Sequence, residues 1–124
     1  MVNTELLERT MQHIEDNPKL HNQRVWAEET GCGTAACLAG RACALSGIEL
    51  QPGWVQIWTG FMHANVQGAA LIGGKLVSAG ETAMELLGIS AEDAILLFSP
   101  GNTIPQLKLM VKDLLNGEHL RARE

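Results

Sequence analysis

No apolar run in the chain is long enough to cross a bilayer. The longest apolar-rich stretch, Ala35 to Leu45, is too short and carries Arg41 inside it. The N-terminus places Glu5 and Glu8 where a signal peptide needs a basic start and an apolar run, so no export signal is expected. Cysteine is scarce and odd in number: Cys32, Cys37 and Cys43 are the only three. A secreted disulfide scaffold spreads an even set along its length, so free thiols in a reducing cytoplasm are the expectation. Basic residues are also in short supply, 9 against 14 acidic, for a net charge of −5. That balance disfavours nucleic acid and anionic membrane as partners. Internal repeats and low-complexity segments are missing as well.

What is present is a chain of 124 residues, enough for one domain with a real core and too short for two. Hydrophobic residues make up 46% of it, which indicates a folded globule rather than an acidic tail.

Leu7, Met11 and Ile14, with Leu6 alongside, mark one face of a first helix over 1–17, capped by Asn3 or Thr4 and ended by Asn17-Pro18. Residues 19–31 read as a polar connector holding Trp26 and Val25. Gly33 then makes an entry turn, and Thr34 is the expected N-cap of a central helix over 34–46, stopped by Gly47 at C′. Its alanines, Gly40 and two cysteines leave it no polar face and let other helices approach closely. Residues 50–77 form a hairpin and loop region. Trp54 to Trp58 is rich in strand-preferring types, and Gly73-Gly74 between apolar flanks predicts a hairpin turn. The interval from Phe61 to Ala70 is open between loop, strand and helical turn.

Three helices follow over 78–116. Ser78 with Glu81 reads as a capping box for the first, which ends at Gly88. Ser90 with Asp93 starts the second, and Thr103 with Gln106 starts the third. A tail over 118–124 is expected to fray. The expected fold is therefore mainly α: about five helices around a central small-residue helix, with a small β-hairpin inserted between the second and third.

Four chemistries compete. A cysteine in the first turn of a helix has its thiol pKa lowered, so Cys37, with Cys32 nearby, is a candidate nucleophile or small-ligand site beside Thr34 and Arg41. The plainer reading makes Cys37 and Cys43 small buried hydrophobes. Cys32 and Cys37 with His21 or His63 are candidate zinc ligands, although zinc sites usually bring two close pairs and only one is here. Pairing of Cys32 with Cys37 is a further possibility that spacing leaves open. Residues 81–98 have the rhythm of a helix-turn-helix, but no Lys or Arg occurs between Lys75 and Lys108 while Glu81, Glu85, Glu92 and Asp93 do, which would repel phosphate. Lastly, Trp54, Trp58, Phe61 and Met62 form either ordinary core or an exposed docking patch.

Gln23 and Trp26, the run Cys32-Gly33-Thr34-x-x-Cys37-x-Ala39-Gly40, then Ala83, Leu86 to Ile89, Leu97-Phe98 and Gly101 to Thr103 carry a resemblance. On them the chain resembles a group of small proteins of actinobacteria and their phages (mycobacteriophage-like) with a CGTxxCxAG motif and no established activity. The resemblance covers most of the chain, least of all 48–77. It implies a cytoplasmic setting in a host cell and supplies no catalytic residues.

The functional expectation is a non-enzymatic, phage-encoded accessory protein that binds a host protein or itself. Its contact surfaces would be Trp54, Trp58, Phe61 and Met62 together with Glu81 and Glu85. No cofactor, nucleic acid or membrane is expected, and a thiol enzyme or ligand site at Cys32/Cys37 is the alternative.

Overall fold

The structure is a computed structural model that describes residues 2–31, 33–58 and 62–120. Within them the order is α1 (Thr4–Asp16), a 3₁₀ turn (Pro18–Leu20), β1 (Glu28–Thr30), β2 (Gly33–Ala35), α2 (Leu38–Leu45), β3 (Glu49–Trp58), β4 (His63–Ile72), β5 (Lys75–Val77), α3 (Ala79–Leu87), α4 (Ala91–Leu97) and α5 (Ile104–Leu115). The fold is mixed α/β, which corrects the mainly α expectation. Five helices are present among the described residues, but so are a two-stranded sheet and a three-stranded antiparallel sheet in the order β3-β4-β5.

The correction has two sources. Residues 33–37 do not begin the central helix. Glu28 to Thr30 pair antiparallel with Ala35 to Gly33. The Ala36 N–H donates to Leu20 O at 3.0 Å and the Cys37 N–H to Val25 O at 2.9 Å. These hydrogen bonds hold alanines that favour helix in extended backbone, because a buried peptide group takes whichever partner the tertiary fold offers. Helix α2 therefore starts at Leu38, and its N-cap is Cys37, whose sulfur accepts from the Gly40 N–H; Thr34 lies in β2 instead. The second source is hairpin length. The Gly73-Gly74 turn joins β4 to β5 as expected, but β4 also pairs with the whole of β3, so ten-residue strands replace a small hairpin.

The core lies between α1, α2, α3, α4 and α5, where Leu7, Leu38, Leu87, Leu97, Leu107 and Leu114 are fully buried. Helix α2 is central to it, touching α1 and α3 on its sides and β3 and β4 at its end. Ser78, Ser90 and Thr103 each cap a helix by accepting an N–H three residues on. The reciprocal box closes at Thr103/Gln106; Ser78 accepts from the Glu81 N–H, while Glu81 itself is exposed. Gly88 ends α3 in left-handed conformation at φ 67°, and Gly47 follows α2 at φ 82°.

Residues 119 and 120, in the tail expected to fray, lie against Asp93 of α4. The buried Asp93 carboxylate accepts from the Leu120 N–H at 2.8 Å and meets His119 Nδ1 at 2.9 Å. The rest of the expected frayed tail, 121–124, lies outside the described residues. Burial works to raise the Asp93 pKa, but the hydrogen bonds from His119, Leu120 and Ser90 outweigh it and hold the carboxyl below its ordinary value.

Candidate functional site

The middle of the chain builds a two-stranded ribbon. Side chains alternate between the faces of a strand, and partners across an antiparallel pair share a face. Val55 faces Val66 and Ile57 faces Ala64 on one side; Trp54 faces Gln67, Gln56 faces Asn65 and Trp58 faces His63 on the other. The first side is turned inward, with Ile57 buried and β1 lying against β3. The second side is open. Trp54 is 73% exposed and Trp58 57%; Met62, just before β4, is 53% exposed. The Trp58 indole meets the His63 ring edge-on with centroids 4.9 Å apart.

The ribbon is anchored where β3 bulges between Gln51 and Trp54. There the Gly53 N–H donates to Ala27 O, while the Trp26 and Ala27 N–H groups donate to Gln67 O at 2.8 and 3.2 Å. Two glycines make this close approach feasible. A Cβ on Gly68 would run into the Ala27 backbone, and one on Gly40 into the Trp26 carbonyl. Gly40 thus admits a backbone segment where close helix packing was expected. The anchor fixes the base of the ribbon and leaves its tryptophan face to solvent.

No Asp, Glu, Lys or Arg occurs between Glu49 and Lys75. This signal was legible in the sequence and marks the ribbon as unusual, because exposed edge strands are normally protected by charges, lysine above all. From Trp54 to Trp58 the outer edge of β3 pairs with no other strand among the described residues.

The chain matches no protein-family model, no curated protein and no solved structure. The reading of the site therefore rests on its own residues.

The other expected site residues fall elsewhere. Cys32 and Phe61 lie outside the described residues. Cys37 is 1% exposed, and burial pushes its thiol up to about 11 despite the N–H groups of Gly40 and Ala39 and the nearby Arg41 guanidinium. The helix end does not lower this thiol as expected; desolvation dominates. Cys43 donates to Ala79 O at 3.5 Å and is pushed up to about 12 by burial. Both thiols are expected to stay unmodified by iodoacetamide in the folded protein at neutral pH and to react fully in denaturant, which peptide mass mapping would show. Rapid labelling of Cys37 in the native state would revive it as a nucleophile.

Among the described zinc candidates, His63 meets Trp58 edge-on in the ribbon, while Cys37 is buried at the start of α2 and His21 pairs with Ala36, the neighbour of Cys37. No group of three His, Cys, Asp or Glu residues able to hold a metal occurs among the described residues. No helix among them is long and apolar enough to cross a membrane. Glu81 and Glu85 lie exposed on α3, Glu81 beside a groove that no ribbon residue lines.

One buried polar cluster has no function to explain it. The Arg41 guanidinium donates to Leu20 O at 3.3 Å and Thr34 O at 2.9 Å. Near it, both ring nitrogens of His21 and the Nδ1 of His13 are buried without a hydrogen-bond partner among the described residues. Desolvation first, and the Arg41 charge second, lower the pKa of each imidazole. The unfolded chain therefore binds protons near pH 6.5 that the folded chain refuses. Stability should be full above that pH, fall as pH drops below it, and level off below the folded-state values. Replacement by an apolar side chain of similar size removes the refusal, so His21→Leu should flatten this part of the pH–stability curve without loss at pH 8. An unchanged curve in urea denaturation across pH 5 to 8 would contradict it. Asp93 acts in a separate window, below its ordinary value of 3.8.

Proposed function

We propose that the chain is a non-enzymatic protein-binding domain and that the open face of the ribbon, Trp54 and Trp58, together with exposed Met62, is its contact surface. The observation that carries the reading is two tryptophans, each more than half exposed, on a strand pair with no charged side chain beyond Glu49. Tryptophan is enriched among residues that dominate binding, and here Trp54 and Trp58 flank Gln56 and Asn65 on one face. The chain carries 14 acidic residues that would oppose close approach, but none lies between Glu49 and Lys75. Trp58 lies at the end of β3 away from the anchor, where a partner reaches it without disturbing the core. Following the resemblance above, the setting we propose is the cytoplasm of an actinobacterial host, with a phage-encoded accessory role. The partner is then a host protein or a second copy of this chain.

A comparison of wild type with Trp58→Ala tests this in two arms, native mass for self-association and affinity capture from host lysate for a foreign partner. The substitution should weaken the assembly about 30-fold or more, as loss of a dominant contact residue does. Because Trp58 is exposed, stability should change by no more than about 1 kcal/mol, the range of a cross-strand pair. A complex that forms equally well with Trp58→Ala would refute the assignment of this face.

A further inference from the structure

Helices α3 and α4 join through Gly88, Ile89 and Ser90, and bury Ala83, Leu87, Ala94 and Leu97 in the core. On their outer side they leave a groove of about 440 Å³ lined chiefly by Trp26, Met84, Ala94, Ile95 and Phe98. Trp26 arrives from the connector before β1, and Gly80 admits it, since a Cβ there would stand 3.0 Å from the indole. Phe98 meets the same indole edge-on at 6.5 Å. Ile95 stands at the lip and is 73% exposed, which is costly for so large an apolar side chain with nothing over it.

Carboxylates predominate around the groove, with Arg24 lining an adjoining pocket that shares Trp26, Phe98 and Pro100. Glu81 lines the groove, Glu85 follows one helical turn later on α3, and Glu92 precedes Ile95 by about a turn on α4. All three are exposed, and neither α3 nor α4 carries a Lys or Arg of its own. A second groove of about 460 Å³, between α1 and α5, makes the contrast. It has Glu8 and Glu15 facing Lys108 and Lys112, with Lys108 paired to Glu15 at 3.4 Å, so its charges are already answered within the chain.

We infer that the α3–α4 groove docks the apolar face of a basic amphipathic helix of a partner protein. An apolar floor between two helices suits a third helix laid along it, and carboxylates one turn apart on α3 match cations one turn apart on the ligand. The surplus of carboxylate sets the sign of the partner: an acidic or neutral helix would leave the rim unanswered, and nucleic acid would be repelled. The site shares no lining residue with the ribbon and stands or falls separately from it.

The test uses the full chain and two fluorescein-labelled model peptides of about 18 residues, one a Leu/Lys amphipathic helix and one its Leu/Glu counterpart. Anisotropy should show saturable binding of the Leu/Lys peptide, weakening with salt, and none of the Leu/Glu peptide. Ile95→Ser should weaken binding about ten-fold or more. Glu81→Gln with Glu85→Gln should lower affinity and flatten the salt dependence. Trp54→Ser with Trp58→Ser should leave it unchanged. Equal binding of both peptides, or loss with the ribbon variant instead of Ile95→Ser, would overturn the inference. So would a dimer of the chain alone that Ile95→Ser dissolves, since the occupant would then be a second copy.

Discussion

Alanine in place of Gly68 is expected to destabilise the protein by about 3 kcal/mol or more, and alanine in place of Gly40 by about 3 kcal/mol. At both positions the added methyl meets backbone, which cannot rotate away as a side-chain tip can: the Ala27 main chain at Gly68 and the Trp26 carbonyl at Gly40. Gly68 carries a second penalty, because its φ of 97° is one that residues with a Cβ rarely adopt. The two glycines grip the same two-residue segment from opposite neighbours, α2 and β4. Either substitution should therefore loosen the attachment of the ribbon to the helices as well as lower global stability. Gly101 serves as the comparison, since a Cβ there meets nothing within 4 Å and its φ is not left-handed. Gly101→Ala should stay within about 0.5 kcal/mol of wild type. Urea denaturation with an unchanged slope would measure all three, and a near-neutral Gly68→Ala would show that the anchor is not built as described.

Gln23→Leu should cost about 3 kcal/mol, a large effect for a residue in a polar connector. The buried Gln23 amide donates to Leu97 O at 3.0 Å and Ser99 O at 3.1 Å, and its oxygen accepts from the Leu38 N–H at 3.4 Å. One side chain thus ties the connector to the end of α4 and the start of α2, two helix termini whose backbone groups have no partner within their own helices. Leucine fills the volume but strands the Leu38 N–H and takes one donor from each carbonyl, leaving Leu97 O with Asn102 Nδ2 and Ser99 O with the Asn102 N–H. Gln23→Glu should be at least as damaging, because a carboxylate would face two carbonyl oxygens. Wild-type stability in either variant would contradict this role.

How far the fold can be read ahead of the structure depends on the range of the interactions involved. The three C-terminal helices are announced by signals that act within three residues: Ser78, Ser90 and Thr103 each bond an N–H one turn ahead, and Gly88 relieves the backbone at a helix end. The Gly73-Gly74 turn is local for the same reason. The extended backbone at 33–37 is not announced, because what holds it comes from Leu20, Val25 and Glu28 to Thr30, while its own alanines favour helix. The length of the β3–β4 pairing was similarly obscured by Gly68-Ala69-Ala70, small residues that read weakly as strand yet are buried in β4.

The site shows the same division. Trp54, Trp58 and Met62 were identifiable as a docking patch or as core, and only packing decides that they are exposed. The want of charge between Glu49 and Lys75 was a readable pointer in that direction. Cys37 misled because its place at a helix start suggested a lowered pKa, whereas burial, which the sequence does not display, governs it. The α3–α4 groove was unreadable in one respect: its floor needs Trp26, far away in the chain, to meet Gly80 and Phe98.

The central claim is that a partner covers the tryptophan face of the ribbon. Fluorine NMR of protein labelled with 5-fluorotryptophan observes Trp26, Trp54 and Trp58 as separate lines without any substitution. On assembly, by raising concentration or adding the captured partner, the account predicts that the Trp54 and Trp58 lines shift, broaden and lose their sensitivity to a soluble paramagnetic relaxant, while Trp26 keeps its position. An assembly that forms while Trp54 and Trp58 remain as open to the relaxant as in the free chain would contradict it.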